Sequence, residues 1–224
     1  MKYRSIAVDG PAGAGKSTLA KALARALGFL YVDTGAIYRT VALKALWEKA
    51  DPGDPAQVAP LLEGLELHMG YENGEQKMYL EGEDVSAAIR RHKVSGAASQ
   101  ISAIPEGRAF LLDFQRKLAR EGNVVMDGRD IGTVVLPGAD VKIFLTAAPE
   151  ARARRRLREL EQRGEPADFD AILRDIRDRD WQDEHRPIAP LRQAADAVLL
   201  DTTDLDLGLS VSRLLALVKE KMAQ

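Results

Sequence analysis

Cysteine is absent from this 224-residue chain, which excludes disulfides, zinc–thiolate centres and cysteine nucleophiles. No apolar run approaches the length needed to span a bilayer. The apolar stretch near the start, residues 5–8, is too short for the core of a secretion signal. Neither sign of charge is in excess. Lys and Arg number 32 against 34 Asp and Glu, a net charge of −2, so no global field favours nucleic acid or an anionic membrane. The three histidines, His68, His92 and His185, are too scattered to suggest a metal site and read as surface or strand residues. There is no Gly-x-Ser-x-Gly elbow for acyl transfer. The Asp-x-x-Gly and Asn-Lys-x-Asp elements of GTPase switches are also missing, since Asn73 precedes Gly74 and Asn123 precedes Val124. Internal repeats and low-complexity tracts are absent. The composition, 46% hydrophobic and 29% charged, is that of an ordinary globular chain long enough to bury a core as one domain. Cytoplasm is the default compartment, and a monomer is expected.

What is present starts with Gly10-Pro11-Ala12-Gly13-Ala14-Gly15-Lys16-Ser17-Thr18. It fits G-x-x-x-x-G-K-[ST], and its context fits as well: residues 5–8 read as a buried strand and residues 18–27 as a helix stopped by Gly28. Glycines let backbone N–H groups turn inward around phosphate oxygens, and the helix N-terminus adds partial positive charge. Lys16 is placed to reach the β- and γ-phosphates, and the Ser17 hydroxyl to bind magnesium. The alternative is an ordinary glycine-rich turn.

Along the chain, strands and helices alternate, which predicts an α/β layer fold with a parallel sheet. Further strands are expected at residues 30–33, 123–126, 141–145 and 197–200. Helices are expected at 36–49, 105–120, 169–184 and 207–221, the first with Ile37, Val41, Leu43, Leu46 and Trp47 on its apolar face. Residues 51–55 form a breaker cluster. A different texture follows. Residues 65–69 and 77–80 alternate around an Asn73-Gly74 turn, the signature of a β-hairpin. Residues 61–97 therefore read as a small insertion on the core.

Four places carry candidate chemistry. Asp127-Gly128-Arg129-Asp130 follows an apolar strand, at the edge where parallel sheets bind ligands; its acids suit magnesium or its waters, and Arg129 suits a phosphate. A solvated turn held by local ion pairs is the alternative. Asp33 or Thr34 caps the next helix, but capping does not account for Arg39 one turn beyond Gly35. In residues 150–163 the arginines suit a solvated helix with i,i+4 pairs Glu150–Arg154, Arg155–Glu159 and Glu159–Arg163, or a mobile cover over a polyphosphate. Arg179, Asp183 and Arg186 share one helical face, as a surface network or as ligand-binding groups.

These motifs together resemble the bacterial cytidylate kinases over essentially the whole length. The resemblance is carried by residues 8–18, 33–39, 80–86, 94–100, 127–135 and 186–191. It implies a single nucleoside monophosphate kinase domain over 1–224: a parallel-sheet P-loop NTPase core, a small β-containing monophosphate-binding insertion at 61–97 and a short Arg-rich lid at 149–166. It implies γ-phosphoryl transfer from ATP, with magnesium, to CMP and dCMP, and no nucleic-acid or membrane partner. By motif, Lys16, Arg129 and Arg186 are the catalytic residues, and residues 10–18 with Arg155 hold ATP. Ser17 and Asp127 serve the metal. Thr34, Tyr38, Arg39, Arg129 and Arg186 surround the acceptor phosphate and sugar, Asp130 and Arg179 reach the ribose hydroxyls, and Ser99, Arg108 and Asp183 read the cytosine edge. The lid arginines Arg152, Arg155 and Arg156 vary in register within the family.

Overall fold

The computed structural model describes residues 3–223. The chain divides into two compact units: the part up to Tyr31 together with everything from Gly122 onward, and Val32–Glu121. In chain order the elements begin with β1 (Ser5–Asp9), α1 (Lys16–Leu27) and β2 (Leu30–Asp33). The second unit contributes α2 (Thr34–Trp47), α3 (Pro55–Leu62), β3 (Leu67–Glu72), β4 (Glu75–Leu80), β5 (Glu83–Asp84), α4 (His92–Ile101) and α5 (Pro105–Glu121). The chain then returns through β6 (Val124–Gly128), β7 (Val141–Thr146), α6 (Pro149–Gln162), α7 (Phe169–His185), β8 (Val198–Asp201) and α8 (Leu207–Ala223).

The main sheet has the order β2-β6-β1-β7-β8. The pairs β1–β6, β1–β7 and β7–β8 are parallel, as the alternation of strands and helices requires. Strands buried on both faces must be apolar throughout, and Ile6, Ala7, Val8, Val124, Val125 and Met126 are fully buried. Leu19, Leu23, Leu214 and Val218, from α1 and α8, complete that core. Strand order changes direction at β1, with β6 on one side and β7 on the other. The carboxyl ends of β1 and β6 lie in register, Val8 opposite Asp127 and Asp9 opposite Gly128. In open α/β sheets this is the edge where ligands bind.

In the second unit, β3 and β4 form the antiparallel hairpin expected from Asn73-Gly74, with Asn73 at φ 52° and Gly74 at φ 78°. Helix α2 starts two residues earlier than its pattern suggests, because Asp33 accepts from the Ala36 N–H at 2.9 Å and caps it. Trp47 is not part of the apolar face; it stands 48% exposed at the helix end. Two helices escaped the sequence reading. Helix α3 follows the breaker cluster directly, with Asp54 as cap and Pro55 in its first turn. Helix α4 lies in a Ser-, Ala- and Gly-rich segment of low propensity contrast; Val94, Ala97, Ala98 and Ile101 are its buried face. Of the histidines, His68 and His185 are exposed, and the His92 side chain lies outside the described residues.

Candidate active site

Between β1 and α1 the chain makes the glycine loop. Gly10 has φ 151°, and a Cβ there would lie 1.9 Å from the Leu145 carbonyl oxygen, so only glycine admits the neighbouring strand. Gly15 takes the left-handed conformation at φ 89° as the residue before α1, and no side chain caps that helix. Its first N–H groups are thus left for a ligand, and the first turn holds no acid to repel an anion. Lys16 is buried, and its Nζ donates to the Pro11 carbonyl at 2.7 Å. Burial first, then the nearby Arg129 charge, pull its pKa down to about 7, against the opposing pull of Asp127, Asp183 and Asp9.

Asp127, at the end of β6, accepts from Ser17 Oγ at 2.8 Å and Tyr31 Oη at 3.0 Å. The metal pair expected from the motifs is therefore in direct contact. These are hard oxygen donors, and among the described residues no cluster of three or more His, Cys, Asp or Glu offers a complete protein cage. Such a donor set fits magnesium, which keeps water and takes one or two protein oxygens beside substrate phosphates. Asp9 does something else. It accepts from the Ile131 and Gly132 N–H groups at 2.8 and 2.7 Å, fixing the wide turn Ile131–Val135 that follows Asp130. Burial is the largest influence on Asp9 and raises its pKa to about 6.

Three ion pairs line the rest of this unit's site. Arg129 Nε donates to Asp183 Oδ2 at 2.6 Å, joining the turn after β6 to α7. Burial disfavours the Arg129 charge, but the Asp183, Asp127 and Asp180 carboxylates outweigh it and raise its pKa. Arg186 pairs with Asp130 at 3.3 Å, both nearly buried, and its Nε donates to the Ala189 carbonyl at 2.7 Å. Arg152 donates from Nε to the Ala147 carbonyl and from Nη1 to the Ala12 carbonyl, each at 2.8 Å, and pairs with Asp180. Arg179 is half-buried on α7.

The Arg-rich stretch forms α6, but the i,i+4 pairs expected there are replaced by others. Glu150 reaches Arg177 of α7 at 2.7 Å, and Glu159 pairs with Arg156 at 3.2 Å. Arg155 donates to the Thr202 carbonyl and to Thr202 Oγ1. Helical spacing gave the candidates; a neighbouring helix and the loop after β8 supplied better partners.

In the second unit, Asp33 holds Arg39 through Oδ2 at 2.9 Å. Arg39 Nε is buried without a hydrogen-bond partner among the described residues. A Cβ at Gly35 would come within 3.0 Å of both Arg39 Nη1 and Asp33 Oδ1, so glycine makes room for the pair. The Gln76 side chain accepts from the Asp33 N–H at 2.7 Å and donates to the Asp33 carbonyl, anchoring this junction to β4. Arg108 is buried, donates to the Ser102 carbonyl at 3.1 Å and lies 5.8 Å from the Tyr38 ring centre. Ser102 Oγ donates to the Ser99 carbonyl at 2.7 Å. Thr34 is buried in the first turn of α2.

The first unit thus brings together residues 10–18, Asp127, Arg129, Asp130, Asp183 and Arg186. The second gathers Thr34, Tyr38 and Arg39 at one helix start, and Arg108 beside Tyr38. Asp9, an alternative to Asp127 for the metal from sequence alone, instead holds the turn after Asp130, and Gln76 and Asp180 carry no signal of a role in the sequence. Only the tertiary structure exposes them, since each acts on a residue far away in the chain.

A parallel sheet, a glycine loop at an uncapped helix start and a buried lysine define a P-loop nucleotide-binding fold. The family model described as Cytidylate kinase matches residues 6–220. A cytidylate kinase of Mannheimia succiniciproducens is 47% identical over 97% of this chain and 96% of its own length. One of Desulfitobacterium hafniense is 48% identical over 99% and 95%. The chain belongs to the cytidylate kinase family and is a phosphotransferase. Among solved structures, an uncharacterized protein from Eubacterium ventriosum shares the fold at 14% identity, with a TM-score of 0.51 over 99% of both chains.

Proposed function

We infer that the protein transfers the γ-phosphoryl group of ATP to CMP and dCMP, giving ADP and CDP or dCDP. The observation that carries this is the buried Lys16 in an uncapped glycine loop, on a chain of the cytidylate kinase family. Residues 10–18 hold the donor phosphates, with Arg155 beside ATP. Lys16 meets the β/γ-phosphates, whose negative charge restores the ammonium that burial disfavours. Ser17 and Asp127 would hold magnesium, which would supply positive charge to the phosphate oxygens.

Thr34, Tyr38, Arg39, Arg129 and Arg186 take the acceptor phosphate and sugar, and Asp130 and Arg179 the ribose hydroxyls. Phosphoryl transfer needs positioning and charge neutralisation more than covalent help, so no dedicated base is assigned. Ser99, Arg108 and Asp183 read the cytosine edge. The carboxylate accepts from the exocyclic amine, while Arg108 and Ser99 donate to N3 and O2. Uracil offers an acceptor in place of that amine. Opposing acceptors cost about 1–3 kcal/mol, or roughly ten- to hundredfold in rate. Residues 61–97 serve as the monophosphate-binding insertion and 149–166 as a lid that excludes water, which prevents ATP hydrolysis. No helix of the described residues is long and apolar enough to cross a membrane; we place the enzyme in the cytoplasm, as a monomer.

A coupled assay of ADP formation with CMP, dCMP, UMP and AMP tests the reading. CMP and dCMP are expected to give the highest turnover. Preference for UMP removes Ser99, Arg108 and Asp183 from base recognition, and ATP turnover indifferent to any monophosphate removes the kinase.

A further inference from the structure

Arg152 sits in the first turn of α6, where its neighbours in sequence, Arg154, Arg156 and Arg158, are exposed. Its side chain is only 3% exposed. All three guanidinium nitrogens are occupied. Nε donates to the Ala147 carbonyl at 2.8 Å, and Nη1 to the Ala12 carbonyl at 2.8 Å and to Asp180 Oδ1 at 3.0 Å. Nη2 donates to Asp180 Oδ2 at 2.5 Å. The pair with Asp180 is therefore bidentate, the geometry in which arginine is most specific and hardest to replace by lysine.

Ala12 lies inside the glycine loop. Its carbonyl must face away from a ligand held by the loop's N–H groups, and Arg152 is the group that takes it. The loop also runs near the arginine stem: a Cβ added at Gly13 would lie 3.6 Å from Arg152 Cβ. With four of its five N–H donors engaged by Ala147, Ala12 and Asp180, Arg152 is committed to protein partners rather than to a phosphate. A buried charge with several hydrogen bonds fixes geometry, because removing one partner strands the other.

We propose that Arg152 is a positioning residue for the donor loop: with Asp180 as its counterion, it orients the Ala12 peptide so that the loop's N–H groups face the triphosphate. This departs from a role as a lid arginine contacting phosphate. Asp180 shares its face of α7 with Asp183, which holds Arg129 at 2.6 Å. One helix thus supports both the loop and an arginine assigned to transfer.

The inference rests on the kinase reading for its kinetic readout, but its primary readout is ATP affinity alone. The full-length protein is compared with Arg152→Met, Arg152→Lys and Asp180→Asn. ATP binding is measured by titration calorimetry without acceptor, KM values by the coupled assay, and folding by circular dichroism. Arg152→Met is expected to weaken ATP binding about tenfold or more while the KM for CMP stays within about twofold. Arg152→Lys recovers little, because a single ammonium cannot span two carbonyls and both Asp180 oxygens. Asp180→Asn gives a smaller loss, and adding it to Arg152→Met costs nothing more. If Arg152→Met does not fold, Arg152→Lys and Asp180→Asn carry the same test. ATP affinity within twofold of wild type in any folded Arg152 variant overturns the proposal. So do equal rises in both KM values, or additive losses in the double variant. Absence of CMP turnover by the wild-type protein defeats the kinase reading and leaves the affinity test standing.

Discussion

Arg152 pairs with Asp180 in the body of α7, and Arg39 pairs with Asp33 at the start of α2; the two arginines are held very differently. Arg152 has spent all three nitrogens on Ala147, Ala12 and Asp180, with 3% of its side chain exposed. Arg39 makes an ion pair with Asp33, is 24% exposed, and keeps Nε without a hydrogen-bond partner among the described residues. An arginine whose donors are satisfied holds the backbone in place. One with a donor in reserve is available to an anion. The same contrast separates the two units. The glycine loop is fixed by close approach, as at Gly10 against Leu145, and by buried charge. The start of α2 hangs on a cap, one ion pair and the Gln76 amide.

The strongest attempt to break this contrast is Lys16→Ala. It is expected to lower kcat by about two to three orders of magnitude, since the preorganised charge at the phosphates is lost. Unfolding midpoints should hold steady or rise, because a buried, disfavoured ammonium has been removed. Near-normal turnover would refute the role of the loop lysine.

Gly10→Ala comes next. It forces a Cβ into the Leu145 carbonyl and is expected to cost about 3 kcal/mol in denaturant unfolding. An unchanged midpoint means the loop is not held as tightly as argued.

On the acceptor side, Arg39→Ala should raise the KM for CMP about ten- to hundredfold with the KM for ATP unmoved. Steady-state kinetics with either substrate varied decide this, and a rise shared by both substrates contradicts the division of labour.

A subtler effect concerns protons. Unfolded, Lys16 keeps its proton up to its ordinary pKa of 10.5; folded, only to about 7. Between these values the unfolded chain binds the extra proton, so this residue makes stability rise with pH across that window. ATP reverses the depression, so binding at pH 8 takes up a proton. The heat of ATP binding should therefore differ between buffers of different protonation enthalpy. Identical heats would remove Lys16 as the source.

The smallest expected effect is that of Lys77→Ala. Lys77 pairs with Asp84 and Glu72 at the exposed hairpin, and solvent screens both contacts. No shift in the unfolding midpoint is expected, and a clear loss would mean that the hairpin depends on its surface charges.

Much of this was legible in the chain. The glycine loop between an apolar strand and a helix was readable because its chemistry is local: nine consecutive residues carry both the turn and the charge. The hairpin was readable from alternation around Asn73-Gly74 for the same reason. Helix α4 was missed because its buried face, Val94, Ala97, Ala98 and Ile101, has helical spacing but is half alanine, in a segment rich in Ser and Gly that favours no one element. Trp47 was assigned to a core face from spacing, yet the helix ends there and the ring stays in solvent. The lid arginines misled most, since i,i+4 spacing offered Glu150–Arg154 where the fold supplied Arg177.

Local pattern alone therefore determined the strand–loop–helix start, the hairpin and the family. Only the tertiary structure decided that Ser17 meets Asp127, that Asp9 holds the turn at Ile131 and Gly132, and that Arg152 reaches Ala12. The reason is physical. Hydrogen-bond and ion-pair partners separated by more than 100 residues are chosen by burial and strand register, and a helix's own periodicity contains no record of what packs against it.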